Sequence, residues 1–205
     1  MTNSTKTHAP LAGDNPKQHK WNQRYQQATS ANAPAQVLSD NTHLFPRHGE
    51  ALDLACGLGG NALLLAHSGL TTQAWDISDV AIAKLQLLAD QQQLPLQPRC
   101  IDLQQQPLPA SAFDLISVSG FLDRALCASI CAALKPNGML FYQTHTLAKA
   151  IDARGPSSPE FLLQSGELLS LFAELTPVVY REERDCGDLQ NGLRNQAYLV
   201  ARKTA

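Results

Sequence analysis

Two glycines and three aspartates have the types and spacing to hold a ligand. They lie in "LDLACGLGGNALLLA" (52–66), "AWDIS" (74–78) and "CIDL" (100–103). Gly57 and Gly59 carry no Cβ, so the backbone there can come close to a bound molecule. Asp76, 19 residues beyond Gly57, is a carboxylate suited to the paired hydroxyls of a ribose. "GLGGNA" (57–62) fits the G-x-G-x-x-A pattern of a dinucleotide site. Asp53 fits that pattern poorly, because a carboxylate beside a pyrophosphate repels it. It suits a ligand that carries positive charge.

The elements that position these residues can be read from alternating patterns. "EALDLA" (50–55) is a short strand, "GNALLLAHSG" (60–69) a helix, "TTQAWDI" (71–77) a strand, and "SDVAIAKLQLLADQQ" (78–92) a helix capped by Ser78. In that helix Ile82, Leu85 and Ala89 share a side. Strands follow at 96–103, 113–119 and 139–145. A helix at 123–134 and the turn "KPNG" (135–138) separate the last two. Five strands alternating with helices predict a parallel sheet covered on both faces. Beyond residue 158, a helix is expected over 159–172. Two strand-like runs, 176–184 and 193–203, are then joined by the turn-rich "DCGDLQNG". The expected fold is a doubly wound, seven-stranded, mostly parallel α/β sheet with an antiparallel C-terminal edge. Residues 20–28 and 34–45 read as helical. Residues 1–18 read as a disordered lead-in, and 19–205 as a single domain: a helical cap over 19–47 and an α/β core over 48–203.

The 205 residues carry a net charge of -2 and 44% hydrophobic side chains, with an isoelectric point near 6.3. That is enough apolar content for a core, and it supplies no basic face for nucleic acid. No apolar run is long enough to cross a bilayer, and the N-terminus lacks the apolar stretch of a secretory signal. The five cysteines, Cys56, Cys100, Cys127, Cys131 and Cys186, match no zinc spacing. Cys127 and Cys131 read as small core residues on one helical face. A reduced, cytoplasmic protein with no metal, no nucleic-acid or membrane partner, and a monomeric or homodimeric state is expected.

Two cofactor classes share the strand–glycine turn–helix plan. A nicotinamide dinucleotide would make the chain an NAD(P)-dependent oxidoreductase. S-adenosylmethionine carries an ammonium and a sulfonium, and three features favour it. Asp53 sits within the first strand. A helical segment precedes the glycine turn and can cover a pocket. The C-terminal hairpin yields a seven-stranded sheet with a reversed strand. A non-catalytic module that binds S-adenosylmethionine is the remaining reading.

"ALDLACGLGGNALLLA", "AWDIS", "CIDL", "FDLISVSGF" and "LKPNGMLFYQT" resemble, in order, the motifs of class I S-adenosylmethionine-dependent methyltransferases. The resemblance covers about residues 20 to 202. "WNQRY" and "SPEFLLQSGELLSLF" resemble the bacterial tellurite-resistance and thiopurine methyltransferase-like branch, which acts on small molecules. "SVSGF" stands where enzymes that methylate amide or exocyclic nitrogens carry an Asp/Asn-Pro-Pro-aromatic run, so that substrate class is disfavoured.

The resemblance implies a cofactor site. Ala55, Gly57 and Gly59 form the loop around the methionine part, and Asp53 meets its amino group directly or through water. Asp76 takes the ribose, Ile77 packs on the adenine, Asp102 accepts from the adenine amine, and Leu103 adds a backbone N–H. Arg24 and Tyr25 close over the cofactor, Arg24 pairing with its carboxylate. Ser119 faces the point of methyl transfer, and His145, at the end of the fifth strand, is the candidate general base. Arg154 can fold over an anionic substrate. The expected reaction is in-line methyl transfer to a small-molecule acceptor, with a soft sulfur, selenium or tellurium nucleophile as one class, and S-adenosylhomocysteine as the product.

Overall fold

In the computed structural model, described for residues 15–152 and 155–205, a seven-stranded sheet has the order β3-β2-β1-β4-β5-β7-β6. The strands are β1 (Glu50–Leu54), β2 (Thr71–Asp76), β3 (Leu96–Cys100), β4 (Phe113–Ser119), β5 (Leu134–His145), β6 (Thr176–Arg181) and β7 (Gln196–Arg202). β1 to β5 pair in parallel, and β7 runs antiparallel to both β5 and β6. The antiparallel C-terminal pair expected from sequence is present. Its reversed strand is β7, which lies inside β6.

Helices cover both faces, so the central strands are mostly apolar, with Asp53 of β1 and Ser117 of β4 as buried polar exceptions. Ala51, Leu52 and Leu54 of β1 are buried on both sides, as are Leu115, Ile116 and Val118 of β4. On one face α3 (Gly60–His67) and α4 (Asp79–Gln91) supply Ala62, Leu65, Ala66, Leu85 and Ala89. In α4 the buried row is Ala81, Leu85 and Ala89, spaced by four residues, while Ile82 is half-buried. Ser78 caps this helix as expected, accepting from the Ala81 N–H at 3.2 Å. On the other face α5 (Cys127–Ala133) buries Cys127, Ile130 and Cys131 in the largest core cluster. Burial pushes both thiols up to about 11, so they stay protonated.

Four sequence expectations change. The lead-in was read as disordered through residue 18, but α1 runs Pro16–Gln26. Asn15 caps it by accepting from the N–H groups of Lys17 and Gln18, and Pro16 opens the first turn. Residues 1–14 lie outside the described residues. The helix expected over 34–45 is only α2 (Gln36–Ser39) and a 3-10 turn, Thr42–Leu44. The helix expected over 159–172 divides into a 3-10 turn, Pro159–Phe161, and α6 (Glu167–Leu171). Gly166, left-handed at φ 73°, stands between them. "KPNG" belongs to β5 as a bulge: the register jumps from Phe113↔Leu134 to Leu115↔Met139. Among the described residues no helix is long and apolar enough to cross a membrane.

Candidate cofactor cleft

A cleft of about 150 Å³ opens at the carboxyl ends of β1, β2 and β4, where the strand order reverses. Its floor is made by strand ends: Ala55 after β1, Asp76 and Ile77 after β2, Ile101 to Gln104 after β3, and Ser119 to Phe121 after β4. Its roof is α1, which presents Lys17, Trp21 and Tyr25, one every fourth residue.

Asp76 is the most tightly held of these groups. One carboxyl oxygen accepts from the Gly57 N–H and the other from the Ser78 N–H, each at 2.8 Å. Burial raises its pKa, and the backbone N–H groups of Ser78, Gly57 and Ile77 oppose that rise. Each oxygen keeps a lone pair for a ligand hydroxyl. The glycine turn is therefore fastened to the carboxylate at the end of β2.

The two glycines serve different ends. Gly57 (φ +53) faces the roof: a Cβ there would stand 2.8 Å from the Tyr25 hydroxyl. Gly59 (φ +80) faces the sheet-side helix, where a Cβ would meet Leu85 methyls at 2.3 and 2.5 Å. Packing against α4 and the left-handed backbone both require glycine here. Ala55 adopts φ +52 without being glycine. That conformation costs an L-residue about 1–2 kcal/mol and turns the chain sharply out of β1.

Asp53 lies beneath the cleft, wholly buried. It accepts from the Ala62 N–H at 3.1 Å and the Asn61 amide at 3.4 Å, so it ties the start of α3 to β1. Burial pushes it up to about 7, against the lowering effect of Asn61, Ser117 and Ala62. A direct contact with a cofactor amino group is not open to it in this arrangement. Asn61 was not singled out in the sequence, though a lone polar residue in "GNALLLA" was a signal. Its carbonyl oxygen accepts from the Ala35 N–H at 2.8 Å, and its amide donates to Ser119 Oγ at 2.8 Å. It thus joins the N-terminal segment, Asp53 and the end of β4.

Asp102 lines the cleft and accepts from Asn15 Nδ2 at 3.1 Å, Gln105 Nε2 at 2.9 Å and the Gln104 N–H at 3.0 Å. Leu103 lines it beside Asp102. Of the two expected roof residues, Tyr25 lines the cleft and stacks on Trp21 with centroids 5.7 Å apart. Burial and the nearby Asp76 keep the Tyr25 phenol protonated. Arg24 lies outside the lining, exposed, with its guanidinium 5.1 Å from the Trp21 ring centroid. Lys17 reaches the cleft because α1 begins at Pro16, ahead of the helix expected from residue 20, while Trp21, inside that expected helix, adds a lining residue beside Tyr25 that the sequence does not single out.

His145 does not line this cleft. It stands half-buried in a shallow notch with Lys149, Gly155 and Asn195. Burial, Lys149 and Arg24 all lower its pKa, so its imidazole is neutral near pH 7. Arg154 lies outside the described residues.

Residues 51–138 match a family described as a methyltransferase domain. Over 98 residues the chain is 31% identical to a ubiquinone biosynthesis O-methyltransferase of Coxiella burnetii, an alignment covering 45% of this chain and 42% of that one. The chain therefore spans under half the length of the curated relatives it matches. TehB from Haemophilus influenzae superposes with a TM-score of 0.66 at 21% identity, over 92% of this chain and 67% of that one. An S-adenosylmethionine-dependent methyltransferase from Mesorhizobium loti superposes at 0.65 and 16% identity, over 82% and 98%. The superpositions show a shared fold.

Proposed function

We propose that this chain, a class I S-adenosylmethionine-dependent methyltransferase by its domain and sheet order, methylates a small soft nucleophile such as a thiolate or a selenium or tellurium oxyanion. The observation that carries the cofactor half of this reading is Asp76. It is fixed through both oxygens at the strand reversal, beneath a roof of Trp21 and Tyr25. The order β3-β2-β1-β4-β5-β7-β6 also departs from the 3-2-1-4-5-6 order of dinucleotide oxidoreductases, because β7 inserts before β6.

Bound in the cleft, S-adenosylmethionine supplies a sulfonium methyl whose leaving group is a neutral thioether. The chain's residues then have four tasks. Asp76 receives the ribose hydroxyls. Ile77, Ile101 and Leu103 give the adenine an apolar slot, and Asp102 and the Leu103 N–H meet its polar edge. Asp53, too deep for contact, favours a cationic group above it through its field. Arg24, exposed outside the lining and over Trp21, has to swing inward to pair with the cofactor carboxylate. Orientation and exclusion of water by the roof account for the rate, an effect worth up to about 7–11 kcal/mol in well-oriented reactions.

The acceptor class is supported by what lines the cleft near Ser119. Ser119, Gly120 and Phe121 offer no general base there, and the carboxylate of Asp123, which also lines the cleft, already accepts from the Ala125 N–H and Gln104 Nε2, which favours an acceptor that needs no base. A hydroxyl acceptor is favoured only by His145, which is neutral near pH 7 and sits at the end of β5. The test is a product assay by mass spectrometry with S-adenosylmethionine and, in parallel, a thiol, selenite, tellurite and a catechol. Methylated sulfur, selenium or tellurium products, unchanged in His145→Ala, support this reading. Methylation of the catechol alone, lost in His145→Ala, replaces it with O-methylation.

A further inference from the structure

We infer that Lys84, which lies outside the cleft, is a positioning residue that sets cofactor affinity by fastening the roof helix to the floor. This rests on the reading that the cleft holds S-adenosylmethionine. Lys84 stands in the middle of α4, the helix that begins three residues after Asp76. Its ammonium donates to the carbonyls of Tyr25 at 2.7 Å, Gln26 at 2.9 Å and Ala28 at 2.6 Å. All three of its protons are thereby used, and its charge meets the negative end of α1. No residue of α1 is buried, so the roof has no apolar anchor of its own and depends on such contacts for its position.

The same helix grips α1 at a second point. Ser78 Oγ donates to Asn22 Oδ1 at 2.7 Å, and Asn22 Nδ2 donates to Asp79 Oδ1 at 2.6 Å. Trp21 and Tyr25, which line the cleft, sit at these grips: Trp21 directly precedes Asn22, and Tyr25 is itself held by Lys84. Tyr25 is both the residue whose carbonyl Lys84 holds and the residue whose hydroxyl stands over Gly57. Losing Lys84 frees the last turn of α1 and lowers the fraction of molecules with the roof seated. The apparent dissociation constant rises in inverse proportion to that fraction.

The fold contains its own control. Lys203 caps the end of α5 in the same way, donating to the carbonyls of Cys131 at 2.9 Å, Ala132 at 3.4 Å and Leu134 at 2.8 Å. None of the residues it holds lines the cleft.

The experiment is calorimetric titration of wild type, Lys84→Met, Lys84→Arg and Lys203→Met with S-adenosylmethionine. Thermal unfolding and hydrogen exchange over residues 16–28 are measured on the ligand-free proteins. Lys84→Met is expected to weaken binding about tenfold, a loss of about 1.4 kcal/mol, and to speed exchange in 16–28. Lys84→Arg recovers most of the affinity. Lys203→Met lowers the melting temperature and leaves the affinity within about twofold of wild type. Unchanged affinity in Lys84→Met, or equal weakening by both Met variants, overturns the inference. Absence of binding by wild type is a different result: it removes the cofactor reading on which the inference stands.

Discussion

The floor and the roof of the cleft are built by opposite means. The floor is made of strand ends rooted in the core: Leu54, Trp75 and Val118 are each at most 2% exposed, one or two residues from cleft-lining positions. The roof, α1, buries no residue, and polar contacts tie it to the rest of the molecule: Asn15–Asp102, Lys17–Gln104, Gln18–Cys100, Asn22 with Ser78 and Asp79, and Lys84. Burial fixes position with little dependence on solvent, whereas exposed or part-buried polar contacts are each worth about 1 kcal/mol. The floor should therefore hold its geometry with or without ligand. The roof should gain order when a ligand bridges the two.

The largest expected effect falls on the floor. Asp76→Ala removes the carboxylate that fastens both Gly57 and Ser78, and affinity for S-adenosylmethionine should fall about 100-fold or more. Titration calorimetry reads this, and a loss below about fivefold would place the ribose elsewhere.

The two glycines sharpen the contrast. Gly59→Ala drives a Cβ into Leu85 in the packed floor and should destabilise the fold by about 3 kcal/mol in urea unfolding. Gly57→Ala pushes against the Tyr25 hydroxyl, which belongs to the movable roof. It should cost only about 1–2 kcal/mol, chiefly the left-handed backbone. Equal losses would mean that the roof is as rigid as the floor.

Asp53 tests the floor's interior by pH. Its carboxyl titrates near 7 in the folded chain and near 4 in the unfolded one. The folded state therefore binds the extra proton between those values, and stability falls as pH rises from about 4 to 7. Urea unfolding across that window should show a decline of a few kcal/mol, and Asp53→Asn should flatten it. A wild-type profile that is already flat would contradict the buried carboxyl. The smallest effect is at Ala55, where replacement by glycine relieves φ +52. Ala55→Gly should stabilise by about 0.5–1 kcal/mol, the strain relieved less the added chain entropy.

The same contrast explains what the sequence disclosed. β1, β2, β4 and the α4 cap at Ser78 were legible because apolar runs, period and cap chemistry agree there, and Gly57 and Asp76 follow from them by spacing. The roof was legible only in part. "WNQRY" contains both Trp21 and Tyr25, of which only Tyr25 is expected at the cleft, and Lys17 depends on a helix begun by Asn15 and Pro16 in a polar stretch with no apolar period. Asn61 and Lys84 act through contacts to Ala35, Ser119 and Tyr25 that only the folded chain brings near. The region after β5 was misread because "SPEFLLQSGELLSLF" has helical periodicity throughout, and Gly166 with its left-handed backbone overrides it. His145, predicted from its place at the strand end, is there, but its ring faces a separate notch.

On the function proposed above, floor and roof together select S-adenosylmethionine over a dinucleotide. The direct measurement is calorimetric titration of the wild-type chain with S-adenosylmethionine and, separately, with NADH. Saturable binding of S-adenosylmethionine at one site per chain, with no heat from NADH, is the predicted result. Binding of NADH, or of neither, would contradict the account and return the glycine turn to the dinucleotide or ligand-free readings.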